Sequence, residues 1–96
     1  MYLERLRQLA PQLNGMALRY GAHNLRVFGS VARGDETPDS DVDFLVDLPP
    51  GYDLVAQRMP LTLGLSDLLD RKVDVVPSHE LSPHLRDQVL AEAVSL

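Results

Sequence analysis

Three acids and one small-residue turn have the types and spacing to do chemistry in this sequence. Gly29-Ser30 is followed, after ten intervening residues, by Asp41-Val42-Asp43, and a further acid stands inside Lys72-Val73-Asp74-Val75-Val76. Side chains along a strand alternate faces, so Asp41 and Asp43 point the same way, their α-carbons about 6.5–7 Å apart if the segment is extended. Two carboxylates at that separation can share metal ions about 3.5–4 Å apart, as in two-metal phosphoryl transfer. Asp74 repeats the logic, because Asp is disfavoured in strands and a valine-rich strand gives it no structural reason to be there. If its strand lies beside that of Asp43, three carboxylates crowd one face and repel each other. A divalent cation resolves that repulsion, and Mg²⁺ is the default, since it binds through a few carboxylates plus substrate phosphates.

The turn supplies the complementary half. Gly29 lets the backbone approach a phosphate closely, Ser30 can donate its hydroxyl, and the N–H groups after Ser30 add anion-binding capacity. Arg33 sits one helical turn beyond Ser30, where it can reach a phosphate oxygen or clamp the loop onto Asp35 or Asp39. Each feature alone has a plainer explanation: a structural turn, solvated acids on an edge strand, a surface salt bridge. The conjunction of glycine turn, fixed interval, paired acids and a later acid among valines is what points to a site. His23, His79 and His84 match no metal-ligand spacing and read as surface residues.

These residues need a scaffold that presents them on one face. Leu3, Leu6, Leu9, Ala10, Leu13 and Ala17 recur at helical spacing, predicting a core-facing helix from Tyr2 to Tyr20, kinked or split at Pro11 and ended by Gly21. Leu25–Phe28 predicts a first strand, Val31–Gly34 a single helical turn, and Asp35–Ser40 a polar loop. Asp41–Leu48 predicts a second strand with Val42, Phe44 and Val46 on its core face. A helical segment from Tyr52 to Asp70, divided at Pro60, follows and ends near Arg71-Lys72, where cations suit the helix dipole. Val73–Val76 predicts the third strand. Ser82-Pro83 opens a last helix with Leu85, Val89, Ala93 and Leu96 as its apolar stripe. The expected class is α/β, a small mixed sheet with helices packed on one face, in a single domain over residues 1–96.

Composition narrows the possible functions. The chain has 96 residues and no cysteine, which excludes disulfides, iron–sulfur clusters and cysteine-ligated zinc. With 14 acids against 9 bases and a net charge of −5 it shows no basic stripe, so no direct nucleic-acid binding is expected. No apolar run approaches the roughly 18–20 residues of a membrane helix, and the first residues lack a signal peptide's apolar stretch, so a soluble, cytoplasmic protein is expected.

Gly29-Ser30-Val31-Ala32-Arg33-Gly34, then Ser40-Asp41-Val42-Asp43-Phe44-Leu45-Val46, resembles the signature of the DNA polymerase β nucleotidyltransferase superfamily, and most closely its minimal nucleotidyltransferase (MNT) group. Arg71–Val76 is similar to that group's segment carrying the third acid, so the likeness spans nearly the whole chain. The resemblance implies the nucleotidyltransferase fold, ATP as substrate, two Mg²⁺ ions, and transfer of AMP with release of pyrophosphate. Gly29, Ser30 and Arg33 would then bind nucleotide. Asp41 and Asp43 would hold both metals, and Asp74 would hold the catalytic one and help activate the acceptor hydroxyl. The MNT group supplies the antitoxins of pairs with HEPN ribonuclease toxins; some members add AMP to a tyrosine of the toxin, and others act by binding it. The acceptor site is expected to be completed by such a partner or by a second copy of the chain. Neutralisation by contact alone, and transfer to a small molecule or RNA end, are the alternative functions.

Overall fold

The structure is a computed structural model describing every residue from Met1 to Leu96. Its centre is a four-stranded sheet in the order β3-β2-β1-β4, formed by β1 (His23–Phe28), β2 (Val42–Asp47), β3 (Val73–Pro77) and β4 (Val94–Ser95). β1 runs antiparallel to β2 and β4, whereas β3 lies parallel to β2, so the sheet is mixed as expected. No helix is long and apolar enough to cross a membrane.

The predicted first helix is two helices, α1 (Tyr2–Gln8) and α2 (Ala10–Arg19), meeting at Leu9. Pro11 is the cause. It has no N–H for an intrahelical bond, and the break places it in the first turn of α2, where none is needed. Gly21 closes α2 in the left-handed region (φ +77), with its N–H on the Leu18 carbonyl and that of Ala22 on Ala17. After β1 comes the short α3 (Gly29–Arg33), which begins at Gly29 rather than Val31.

Pro60 divides the next helical stretch as expected, but the first piece is a π-helical turn, Leu54–Arg58, capped by Asp53, whose carboxylate accepts from the N–H groups of Val55 and Ala56. α4 (Met59–Leu69) follows with Pro60 in its first turn. It stops short of Arg71-Lys72 because Asp70 takes a left-handed conformation (φ 52), which a short polar side chain tolerates.

The last expectation needs the largest correction. α5 (Pro83–Glu92) starts after Ser82 as predicted, but the helix ends before Ala93, and Val94-Ser95 pairs with Val27 and Arg26 of β1. Of the expected stripe only Val89 is buried; Leu85 is 53% exposed, and Leu96 lies beyond β4, its N–H on the Leu25 carbonyl.

One face of the sheet carries the core. Val42, Phe44 and Val46 of β2 are fully buried in a cluster with Leu6, Leu13, Val27, Leu61, Leu65 and Val75. Burial of each such side chain stabilises by roughly 1.5–3 kcal/mol. A one-residue slip of β2 would turn its acids inward and this apolar set outward, so the core fixes the register and aims Asp43 and Asp47 away from it.

Candidate active site

Parallel pairing of β2 with β3 sets Asp43 directly opposite Asp74, between the pairs Val42↔Val73 and Phe44↔Val75. Alternation does the rest: the valines and Phe44 enter the core, and the two carboxylates share the opposite face. Asp41 precedes β2 by one residue, a position set when the Val42 N–H bonds to the Lys72 carbonyl at 3.0 Å. Its carboxylate lies 3.8 Å from the exposed Lys72 ammonium, a pair of little energetic weight. The fold therefore sets Asp43 beside Asp74, with Asp41 near enough for its charge to act on Asp43.

Gly29 completes the cluster for a reason the sequence did not disclose. Its φ is +74, and a Cβ at this position would fall on the Asp43 carboxylate, about a bond length too close to Oδ2 and 3.3 Å from Cγ. Glycine is needed here because the carboxylate rests against its α-carbon. Phe28 pairs with Asp43 across β1 and β2, so the turn into α3 begins where the acid stands.

Burial pushes the Asp43 carboxyl above its ordinary range, the charges of Asp74 and Asp41 push it further, and Arg33 pulls part of the way back. The counter-charge that Arg33 supplies is too little to offset burial and the two acidic neighbours. The donor set is hard oxygen throughout, and no three acidic or histidine side chains close into a cage on their own. Carboxylates spaced this openly suit a cation that keeps several positions for water and phosphate oxygens, as Mg²⁺ does, and Asp41, Asp43 and Asp74 are the residues that would hold one.

Two groups around the acids were not anticipated. Glu92, at the end of α5, accepts the Gly29 N–H at 2.9 Å and receives Arg33 Nη1 on both oxygens at 3.3 Å. Arg33 also donates to Asp35, the clamp foreseen for it, and its hydrogen bonds to Asp35 and then to Glu92 raise the guanidinium pKa. On the other flank, Arg58 donates to the Val75 carbonyl at 2.8 Å, to the Tyr52 hydroxyl at 3.0 Å and to Glu80 at 3.2 Å. Burial would lower the Arg58 pKa, but Tyr52, Glu80 and Asp74 together hold it above its usual value. Nothing local in the sequence marks either group, since each acts across many residues of chain.

Residues 5–96 match the model of the nucleotidyltransferase domain. This chain belongs to that family. The nucleotidyltransferase domain is 38% identical over 76 residues to the protein adenylyltransferase MntA of Thermococcus cleftensis, covering 79% of this chain and 76% of that protein. It is 34% identical over 79 residues to MJ0435 of Methanocaldococcus jannaschii, provisionally named a protein adenylyltransferase, covering 82% and 84% of the two. Among solved structures, one provisionally described as a minimal nucleotidyltransferase superposes with a TM-score of 0.85 at 45% identity, covering 98% of this chain and 95% of that one. A toxin–antitoxin crystal structure with AMP-PNP superposes with a TM-score of 0.68 at 25% identity, covering 85% of this chain and 70% of that one. Fold and family thus agree with the resemblance carried by the glycine turn and the acids.

Proposed function

We propose that this nucleotidyltransferase domain is an antitoxin that transfers AMP from ATP to a tyrosine hydroxyl of a HEPN-type partner toxin in the cytoplasm. The observation that carries the reading is the in-register pair Asp43 and Asp74, crowded by Asp41 and set against the Gly29 turn. The relatives named as protein adenylyltransferases and the toxin–antitoxin neighbour support the choice of substrate and partner.

In this reading Gly29, Ser30 and Arg33 bind the triphosphate beside the acids. Two Mg²⁺ ions bound by Asp41, Asp43 and Asp74 would supply the charge neutralisation that phosphoryl transfer requires. The acceptor oxygen forms a bond to the α-phosphorus while the bond from that phosphorus to the bridging oxygen breaks. Pyrophosphate leaves with those electrons, and the hydroxyl proton passes to Asp74 or to water beside it. β3 is an edge strand and Asp74 is exposed, so the acceptor can approach from the open side of the sheet.

A second reading, neutralisation by contact, is favoured by one feature. Leu54, Met59 and Leu63 expose apolar side chains around an open pocket that Arg58 also lines.

The test combines the protein, Mg²⁺, labelled ATP and the toxin, with mass spectrometry for an AMP adduct and an assay of toxin activity. Adduct and silencing with the wild type, and neither with an Asp41→Asn/Asp43→Asn variant, are expected. Silencing by that variant without adduct would replace transfer with binding.

A further inference from the structure

Glu92 has no part in the chemistry proposed above, yet it touches two of the groups assigned to the nucleotide. Its Oε1 takes the Gly29 N–H at 2.9 Å, and both oxygens take Arg33 Nη1 at 3.3 Å. The carboxylate is the fixed member of the pair: the Glu92 side chain is 18% exposed against 48% for Arg33.

The fold explains that fixity. Glu92 is the last residue of α5, and within two residues the chain is hydrogen-bonded into the sheet, Val94 opposite Val27 and Ser95 opposite Arg26. Gly29 directly follows the same strand, β1. Turn and carboxylate are thus carried beside neighbouring strands of one sheet, β1 and β4, and the Glu92 side chain closes the gap between them. Gly29 holds a left-handed conformation with Asp43 against its α-carbon, so rotation of this peptide moves the Asp43 contact and the Ser30 hydroxyl together.

We propose that Glu92 is a positioning residue of the nucleotidyl-transfer site, fixing the Gly29 peptide and the Arg33 guanidinium in the orientation that receives the triphosphate. The role rests on the transfer chemistry proposed above. It requires an acceptor oxygen at the reach of a glutamate and not merely a negative charge nearby. The Arg33–Asp35 ion pair keeps the guanidinium charge whether or not Glu92 is there, so what Glu92 adds is direction.

Two variants separate reach from charge. Glu92→Gln keeps the reach and an amide oxygen that accepts from Gly29; Glu92→Asp keeps the charge but is one methylene too short. Both are checked for folding by ¹⁵N–¹H spectra and thermal melts. Their kcat and KM for ATP are then measured with the toxin as acceptor, beside the Kd of a non-hydrolysable ATP analogue with Mg²⁺. The Gly29 amide proton is followed as a direct report on its hydrogen bond.

The expected result is that Glu92→Asp loses about 10–100-fold in kcat/KM, the size of a sub-ångström to ångström misplacement. Its Gly29 amide resonance moves upfield, whereas Glu92→Gln retains most of the activity and the hydrogen-bonded shift. Wild-type kinetics in Glu92→Asp would overturn the proposal. So would tighter analogue binding by Glu92→Gln than by wild type, which would make the carboxylate a competitor for the phosphate subsite. A wild-type protein that binds no nucleotide and transfers nothing would instead remove the transfer reading itself, a result distinguishable because it appears before any variant is made.

Discussion

Asp43 and Asp47 are the same residue type on the same face of the same strand, four positions apart, and their surroundings are opposite. Asp47 accepts from Arg26 at 2.7 Å, Ser78 at 2.8 Å and Asn24 at 3.2 Å. Burial works against its charge, but the hydrogen bonds from Ser78 and Asn24, with Arg26, outweigh that and hold its carboxyl below the ordinary range. Asp43 has burial, Asp74 and Asp41 all acting to raise its carboxyl, and only Arg33 opposing. One end of β2 is electrostatically complete and ties strands and loops together. The other is left short of positive charge, and folding alone gives no reason for that. Local destabilisation of this kind is what a ligand-binding site shows before its ligand arrives.

The two aspartates should differ most in catalysis. Asp43→Asn should reduce AMP transfer by at least about 10³-fold, whereas Asp47→Asn should leave kcat/KM within about 3-fold, in single-turnover assays with the toxin. Gly29→Ala comes next. It forces a side chain into a left-handed backbone and onto Asp43, costing about 1–3 kcal/mol in urea melts and lowering transfer together with stability.

Asp47→Ala should lower Tm at pH 7 by about 4–8 °C, the equivalent of ~1 kcal/mol in a domain of this size once solvent screening is allowed for. Because the folded pKa of Asp47 is depressed, its contribution is present above the unfolded pKa and is lost as pH falls through the folded one. The gap between variant and wild type should therefore close in acid. Asp43→Asn should have the opposite sign and the smallest size, raising Tm at pH 7 in chelator by about 2–4 °C. The folded pKa of Asp43 is raised, so stability is lost as pH rises through it, and the variant's advantage should vanish below the unfolded pKa.

Much of the site end of β2 was legible because it depends on short-range rules. Period-two alternation put Asp41 and Asp43 on one face and Asp74 among valines on a second strand, and parallel pairing with β3 made them neighbours. Pro11 and Pro60 announced helix breaks because the missing N–H acts locally. The features that escaped are those decided at a distance. Leu85, Val89, Ala93 and Leu96 have helical spacing, but spacing cannot say that β1 has an open edge where Val94-Ser95 gains ladder bonds. The π-helical turn at Leu54–Arg58 ends on Arg58, which bonds to the Val75 carbonyl of β3, a contact 17 residues away in the chain. Glu92 meets Gly29 across 63 residues of chain, and its role exists only once the sheet has brought both ends together.

The contrast between the two aspartates can be measured in one experiment, a ¹³C titration of the side-chain carboxyl carbons with and without Mg²⁺ and a non-hydrolysable ATP analogue. In chelator Asp43 should titrate above the ordinary aspartate range and Asp47 below it. Adding Mg²⁺ and the analogue should bring Asp43 down and leave Asp47 where it was. If both titrate alike in chelator, or if Asp43 ignores the metal and nucleotide, the claim that this end of β2 is built to receive them is wrong.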